Sequence, residues 1–200
     1  MSIAEIECPS PIGPRCNGML MTTDEFDAVR EWEEGYRYEL VHGVLIVSPP
    51  ADIGERKPND EFGHWLLTYR DTHSESTLDD TAPEQTLQTS TGRRRADRVI
   101  WTGLGRTPDY DADVPTIVIE FVSNSSRDRK RDYLEKRAEY AEIGVREYWV
   151  IDRFQRSMTV FRGADSEQVV HEPQTYTTNL LPGFELPLQK LLHIADRCGS

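Results

Sequence analysis

Thr116-Ile117-Val118-Ile119-Glu120-Phe121-Val122-Ser123 is a short apolar run with one acid in its middle. Its β-branched content, with Pro115 ahead and Asn124-Ser125-Ser126 behind, marks a strand buried on both faces. Side chains alternate along a strand, so Ile117, Ile119 and Phe121 line one face and Val118, Glu120 and Val122 the other. An ionised carboxylate inside such a run costs on the order of several kcal/mol unless charge meets it there. A structural Arg or Lys would meet it, and so would a metal ion that the acid helps to hold. Position alone leaves both partners open.

The neighbouring segments set this strand in a mixed sheet. Arg95 to Trp101 reads as a strand before it, followed by a loop rich in Gly, Pro and Asp over 102–115. Residues 129–143 read as a helix closed by Gly144, and Glu147 to Asp152, Met158 to Arg162 and Gln168 to His171 as further strands. Towards the N-terminus, Thr22-Thr23-Asp24-Glu25 has the capping-box pattern and predicts a helix reaching Glu34. Tyr36 to Val41 and Val44 to Ser48 flank a His42-Gly43 turn and predict a hairpin. Phe62, Trp65, Leu66 and Tyr69 recur at helical spacing within 55–70, while the polar stretch 71–92 predicts one or two irregular strands. A short helix closes the chain after Leu180 to Pro187. Helices interspersed among strands indicate an α/β or α+β fold.

Two hundred residues suit one domain, expected over 21–192, with a flexible Pro-rich arm at 1–20 and a tail at 193–200. The formal net charge of −12 argues against a passive nucleic-acid coat protein, whose footprint is basic. It leaves room for an enzyme that meets nucleic acid through a local patch. Cys8, Cys16 and Cys198 are odd in number, lie near the chain ends and form no C-x-x-C pair. Free thiols in loose tails, with no signal-peptide core and no run of membrane-helix length, predict a cytoplasmic protein that does not enter a membrane.

Three acids fall on predicted strands: Glu39, Asp97 and Glu120. Asp97 shares its face with Val99 and Trp101, as Glu120 does with Val118 and Val122. Carboxylates on adjacent strands give the oxygen ligands that Mg²⁺ or Mn²⁺ prefers. A nearby Lys can orient or deprotonate a metal-bound water.

At Tyr38-Glu39-Leu40-Val41-His42-Gly43, Arg94-Arg95-Ala96-Asp97 and Ile119-Glu120-Phe121-Val122-Ser123 the sequence resembles the Uma2 family, formerly DUF820. Glu135-Lys136-Arg137, the Tyr140 to Gly144 run and Glu147-Tyr148-Trp149-Val150-Ile151-Asp152 extend the resemblance in the same order, over residues 21–192. The family is classed with PD-(D/E)XK restriction-endonuclease-like proteins. The resemblance therefore implies a mixed central β-sheet flanked by helices, here with extra C-terminal strands. It implies a metal-dependent endonuclease that hydrolyses phosphodiester bonds of nucleic acid, DNA being the expected partner.

Carried over, Asp97 and Glu120 would hold Mg²⁺ or Mn²⁺ with the main-chain carbonyl of Phe121, and Glu39 would supply a third ligand or position water. Ala96 stands at the motif's Pro and Val122 at the motif's Lys. Lys136 is the expected replacement, flanked by Tyr133 at i−3 and Tyr140 at i+4; Lys130 is held in reserve. Lys136 could equally run along the two rings to water.

Arg93, Arg94 and Arg95 lead into Asp97, and Arg127, Arg129 and Lys130 follow the Glu120 strand; these are the expected contacts to a phosphate backbone. Gly103-Leu104-Gly105 lacks the Lys-Ser/Thr of a phosphate loop, and neither G-x-S-x-G nor H-E-x-x-H occurs. A homodimer is expected by analogy with nucleases that bring two sites to two strands. The alternative is an inactive nuclease-fold module for binding or assembly, motivated by Val122 and the negative charge.

Overall fold

The computed structural model describes residues 10–123, 133, 135–163 and 166–198. The chain divides into two compact units where the sequence suggests one domain: residues 1–50 with 91–95, and residues 51–90 with 96–200.

In the first unit, α1 (Thr23–Ala28) opens with the expected reciprocal cap, the Glu25 amide on Thr22 Oγ1 at 3.2 Å and the Thr22 amide on Glu25 Oε2 at 2.7 Å. The helix stops well short of Glu34. Instead of continuing, residues 31–33 pair with Ile12, through Ile12 N to Glu31 O at 3.0 Å and Glu33 N to Ile12 O at 2.8 Å. Trp32 then packs between Phe26 and Tyr38, with ring centroids 5.0 and 4.4 Å away. Long-range pairing overrides a local helical preference here.

The same contacts revise the reading of residues 10–20 as a flexible arm. Ile12 and Cys16 are buried in a cluster with Phe26, Tyr38, Leu40 and Leu45, and the Leu45 amide donates to the Met19 carbonyl at 2.8 Å. Cys16 is thus a core thiol and not a tail thiol. The hairpin forms from β1 (Arg37–Val41) and β2 (Val44–Ser48) around His42 and Gly43, both at positive φ as a tight hairpin turn requires. At Gly92 the backbone comes so close to β1 that a Cβ would sit 1.9 Å from the Leu40 carbonyl oxygen.

The second unit holds the mixed sheet. Its strands are β3 (Leu78–Thr89), β4 (Gly92–Thr102, from Ala96 onward), β5 (Ile117–Phe121), β6 (Glu147–Asp152), β7 (Ser157–Arg162) and β8 (Ser166–His171). The order runs β4-β5-β6-β7-β8, with β3 also paired to β4. β5 and β6 run parallel; β4–β5, β6–β7 and β7–β8 are antiparallel. The polar stretch before β4 forms one strand of twelve residues, within the one or two irregular strands expected, with Glu84 at positive φ. Edge positions there stay half-exposed, so the strand lacks an apolar signature.

Each face of the sheet has its own core. Ile117, Ile119 and Phe121 of β5 pack with Trp149 and Ile151 under α2 (Ile53–Thr72), through Phe62, Leu66 and Tyr69. On the other face Val118 and Val122 join Val99, Trp101, Val150 and Tyr140. Tyr140 lies on α3 (Lys136–Glu142), which ends at Gly144, at φ +99°, with the Val145 amide turning back to the Tyr140 carbonyl at 3.0 Å. The start of the helix expected over 129–143 falls outside the described residues. Beyond β8, β9 (Thr175–Tyr176) and β10 (Leu186–Pro187) form a small ribbon, and α4 (Leu188–Asp196) adds Leu188, Leu191 and Leu192 to the core beneath α2.

Candidate active site

Glu120 stands on β5 with its side chain on the α3 face, as the strand alternation requires. Its partner is Lys136, whose Nζ donates to Glu120 Oε1 at 2.8 Å, and both side chains are almost fully buried. Lys136 therefore reaches inward and does not run to water. The Tyr140 hydroxyl, one helical turn on, donates to the same oxygen at 3.1 Å. Val122, expected at the motif's Lys position, is packed into the apolar cluster of that face.

Asp97 is placed by the pairing of β4 with β5. Arg98 lies opposite Ile119, and continuing that register by one residue sets Asp97 opposite Glu120. The Asp97 carboxylate is buried and accepts the Phe121 main-chain amide at 2.7 Å. Lys136 and Glu120 are thus in direct contact, and Asp97 bonds the amide of Phe121, the residue after Glu120.

The backbone at Asp97 is held from the opposite face. Asn59 on α2 donates through Nδ2 to the Asp97 carbonyl at 2.8 Å. Arg98 in turn clamps Asn59, donating from Nε to Oδ1 at 2.6 Å and from Nη2 to the Asn59 carbonyl at 3.0 Å. A third bond joins Arg98 Nη1 to Thr81 Oγ1 at 3.1 Å. All these partners are neutral, and burial pulls the guanidinium pKa down to about 10, with Asp60 partly opposing the shift. Gly63 makes room: a Cβ there would lie 2.6 Å from Arg98 Nη2.

Glu39 belongs to the first unit, buried on β1, where its Oε1 accepts the Arg95 amide at 3.0 Å. Arg94, expected on a phosphate backbone, is wholly buried, because alternation along β4 turns it inward; that expectation is corrected. Arg93 is closed in a fork on Asp27, at 3.0 and 2.6 Å. Arg95 is half-buried. Arg127, Arg129 and Lys130 fall outside the described residues. The sequence marked Tyr140 only as a neighbour of Lys136, although its spacing of i+4 from that Lys was the available signal for a shared target. Asn59 carried no signal at all.

Among the described residues no three His, Cys, Asp or Glu side chains cluster as a ready-made cage. Asp97 and Glu120 are both buried carboxylates, the donor type that suits a hard divalent cation, since Mg²⁺ is commonly held by one or two carboxylates with water and substrate phosphate completing its shell.

The sequence model of Uma2, described as "Putative restriction endonuclease", matches residues 23–189. The chain belongs to the Uma2 family. No curated protein matches this Uma2 chain. Its fold is shared with the crystal structure of a "putative nuclease belonging to DUF820" from Anabaena variabilis, at a TM-score of 0.70 and 16% identity. The match covers 88% of this chain and 99% of that one. At that identity the likeness speaks for the fold alone. No helix among the described residues is long and apolar enough to cross a membrane.

Proposed function

We propose that this Uma2 chain is a metal-dependent nuclease acting on DNA, with Asp97, Glu120 and Lys136 at its centre. The observation that supports the reading is the buried contact of Lys136 with Glu120, with the Asp97 carboxylate accepting the amide of the next residue, Phe121. Two carboxylates and a Lys there are the residue types that metal-assisted phosphodiester hydrolysis uses. Asp97, Glu120 and the Phe121 carbonyl would hold Mg²⁺ or Mn²⁺, which when bound supplies charge for the scissile phosphate and acidifies water. Lys136, buried against Glu120, is the chain's candidate for orienting the attacking water. A homodimer would bring two such sites to the two strands of a duplex.

A second reading draws on the same contact. A Glu120 already neutralised by Lys136 suits an inactive nuclease scaffold that binds or assembles without a metal. The two readings part on one experiment: calorimetric titration of Mn²⁺ into wild type and Asp97→Asn, with plasmid cleavage assayed in parallel. The nuclease reading expects wild type to bind and cut, and the variant to lose both. A wild type that neither binds Mn²⁺ nor cuts leaves the scaffold reading standing.

A further inference from the structure

Glu120 Oε1 receives two donors from one helix, and the two are not equivalent. Lys136 brings a point charge on a flexible four-carbon stem with rotatable donors, which neutralises a carboxylate without fixing its direction. Tyr140 brings a hydroxyl on a rigid ring with two torsions, and that ring is locked by packing. It is wholly buried and meets Tyr148 edge-on at 5.1 Å and 74°. Tyr148 in turn stacks on Phe161 at 5.8 Å and 24°. Val122, two residues beyond Glu120 on the same face, packs in the same cluster, so the position of the family's Lys is given over to the surroundings of this ring.

We propose that Tyr140 is the positioning residue of the site, fixing the direction of the Glu120 carboxylate while Lys136 supplies the charge. This inference rests on the metal-dependent reading given above. Tyr140 touches neither substrate nor cation; it acts through Glu120. Without the hydroxyl, Glu120 keeps its ion pair but can turn with the ammonium, and the oxygen set offered with Asp97 loses its fixed geometry.

Tyr140→Phe removes one oxygen and leaves the ring in its cluster. Full-length wild type and Tyr140→Phe are titrated with MnCl₂ by calorimetry, with the thermal unfolding transition of each recorded. The expected variant unfolds cooperatively near wild type and binds Mn²⁺ about 10- to 100-fold more weakly, the loss typical of removing an outer-shell partner. Its cleavage shows a lowered kcat with an unchanged KM for DNA. Equal Mn²⁺ affinity in the two proteins overturns the positioning role and leaves the metal site standing. A variant without a cooperative transition also overturns it, because the hydroxyl then serves the fold. A wild type that binds no Mn²⁺ overturns the metal reading itself, and this inference with it.

Discussion

Lys136 Nζ and Glu120 Oε1 meet at 2.8 Å with 3% and 4% of their side chains exposed, so the two charges meet out of reach of water. Removing one partner from a buried pair strands the other, at a cost of about 3–5 kcal/mol, whereas removing both spares that penalty. Lys136→Met and Glu120→Gln are each expected to lower unfolding free energy by about 3 kcal/mol in urea titration, with the double variant recovering much of the loss. Strictly additive losses would show that the contact does not govern the stability of this face.

The chemical half of the same pair is tested by moving the amine. Lys136→Met is expected to slow metal-dependent DNA cleavage by about 100-fold or more, the usual worth of a positioned proton-transfer group. Val122→Lys in that background returns an amine to the strand position two residues from Glu120, and part of the activity should return. Unaltered cleavage by Lys136→Met would remove Lys136 from the mechanism.

Behind Asp97, the Arg98 clamp makes an unusual demand on α2. An Ala at Gly63 would normally strengthen a helix interior by about 1 kcal/mol. Here the added methyl would displace a guanidinium bound to Asn59 and Thr81, leaving buried groups unsatisfied. Gly63→Ala is expected to be destabilised by about 1–2 kcal/mol net, by denaturant unfolding. A stabilised variant would mean that Arg98 relocates without loss.

Alkaline pH should expose a second buried network. Glu147 accepts Trp149 Nε1 at 2.9 Å, Arg162 Nε at 2.8 Å, and the Tyr176 and Thr178 hydroxyls each at 3.0 Å. Burial, reinforced by the Glu147 charge, holds the Tyr176 phenol well above its usual value of 10.0. The unfolded chain therefore releases this proton first, and its contribution to stability, complete below pH 10, declines as pH rises beyond it. Tyr176→Phe should show a shallower loss of stability above pH 10 than wild type, in urea titrations across that range. Parallel pH profiles would place the alkaline loss elsewhere.

What the sequence disclosed was whatever local rules govern. The alternation of 117–122 assigned Glu120 to its face and the Thr22–Glu25 pattern opened α1, while the wheel position of Lys136 left it open between Glu120 and water. What stayed hidden depends on partners distant in the chain. Ile12 takes residues 31–33 out of a helix that local spacing favoured, and no pattern near residue 31 announces it. The inward turn of Arg94 is visible only once β4 has neighbours, since three consecutive arginines look like a solvated face. Asn59 is an ordinary helical polar residue until Arg98 and the Asp97 carbonyl are placed around it.

The parallel pairing of β5 with β6 requires a crossover between them, and α3 lies on that crossover. A reactive amine carried on the strand would be tethered by the ladder and would persist as long as the sheet. Carried on the crossover, it persists only while the helix stays docked. Helices of this kind can detach in sub-global openings whose free energy lies well below that of complete unfolding. Under the proposed nuclease function, competence and sheet integrity become separable properties, so mild denaturant should abolish DNA cleavage while amide exchange in β5 and β6 still reports an intact sheet.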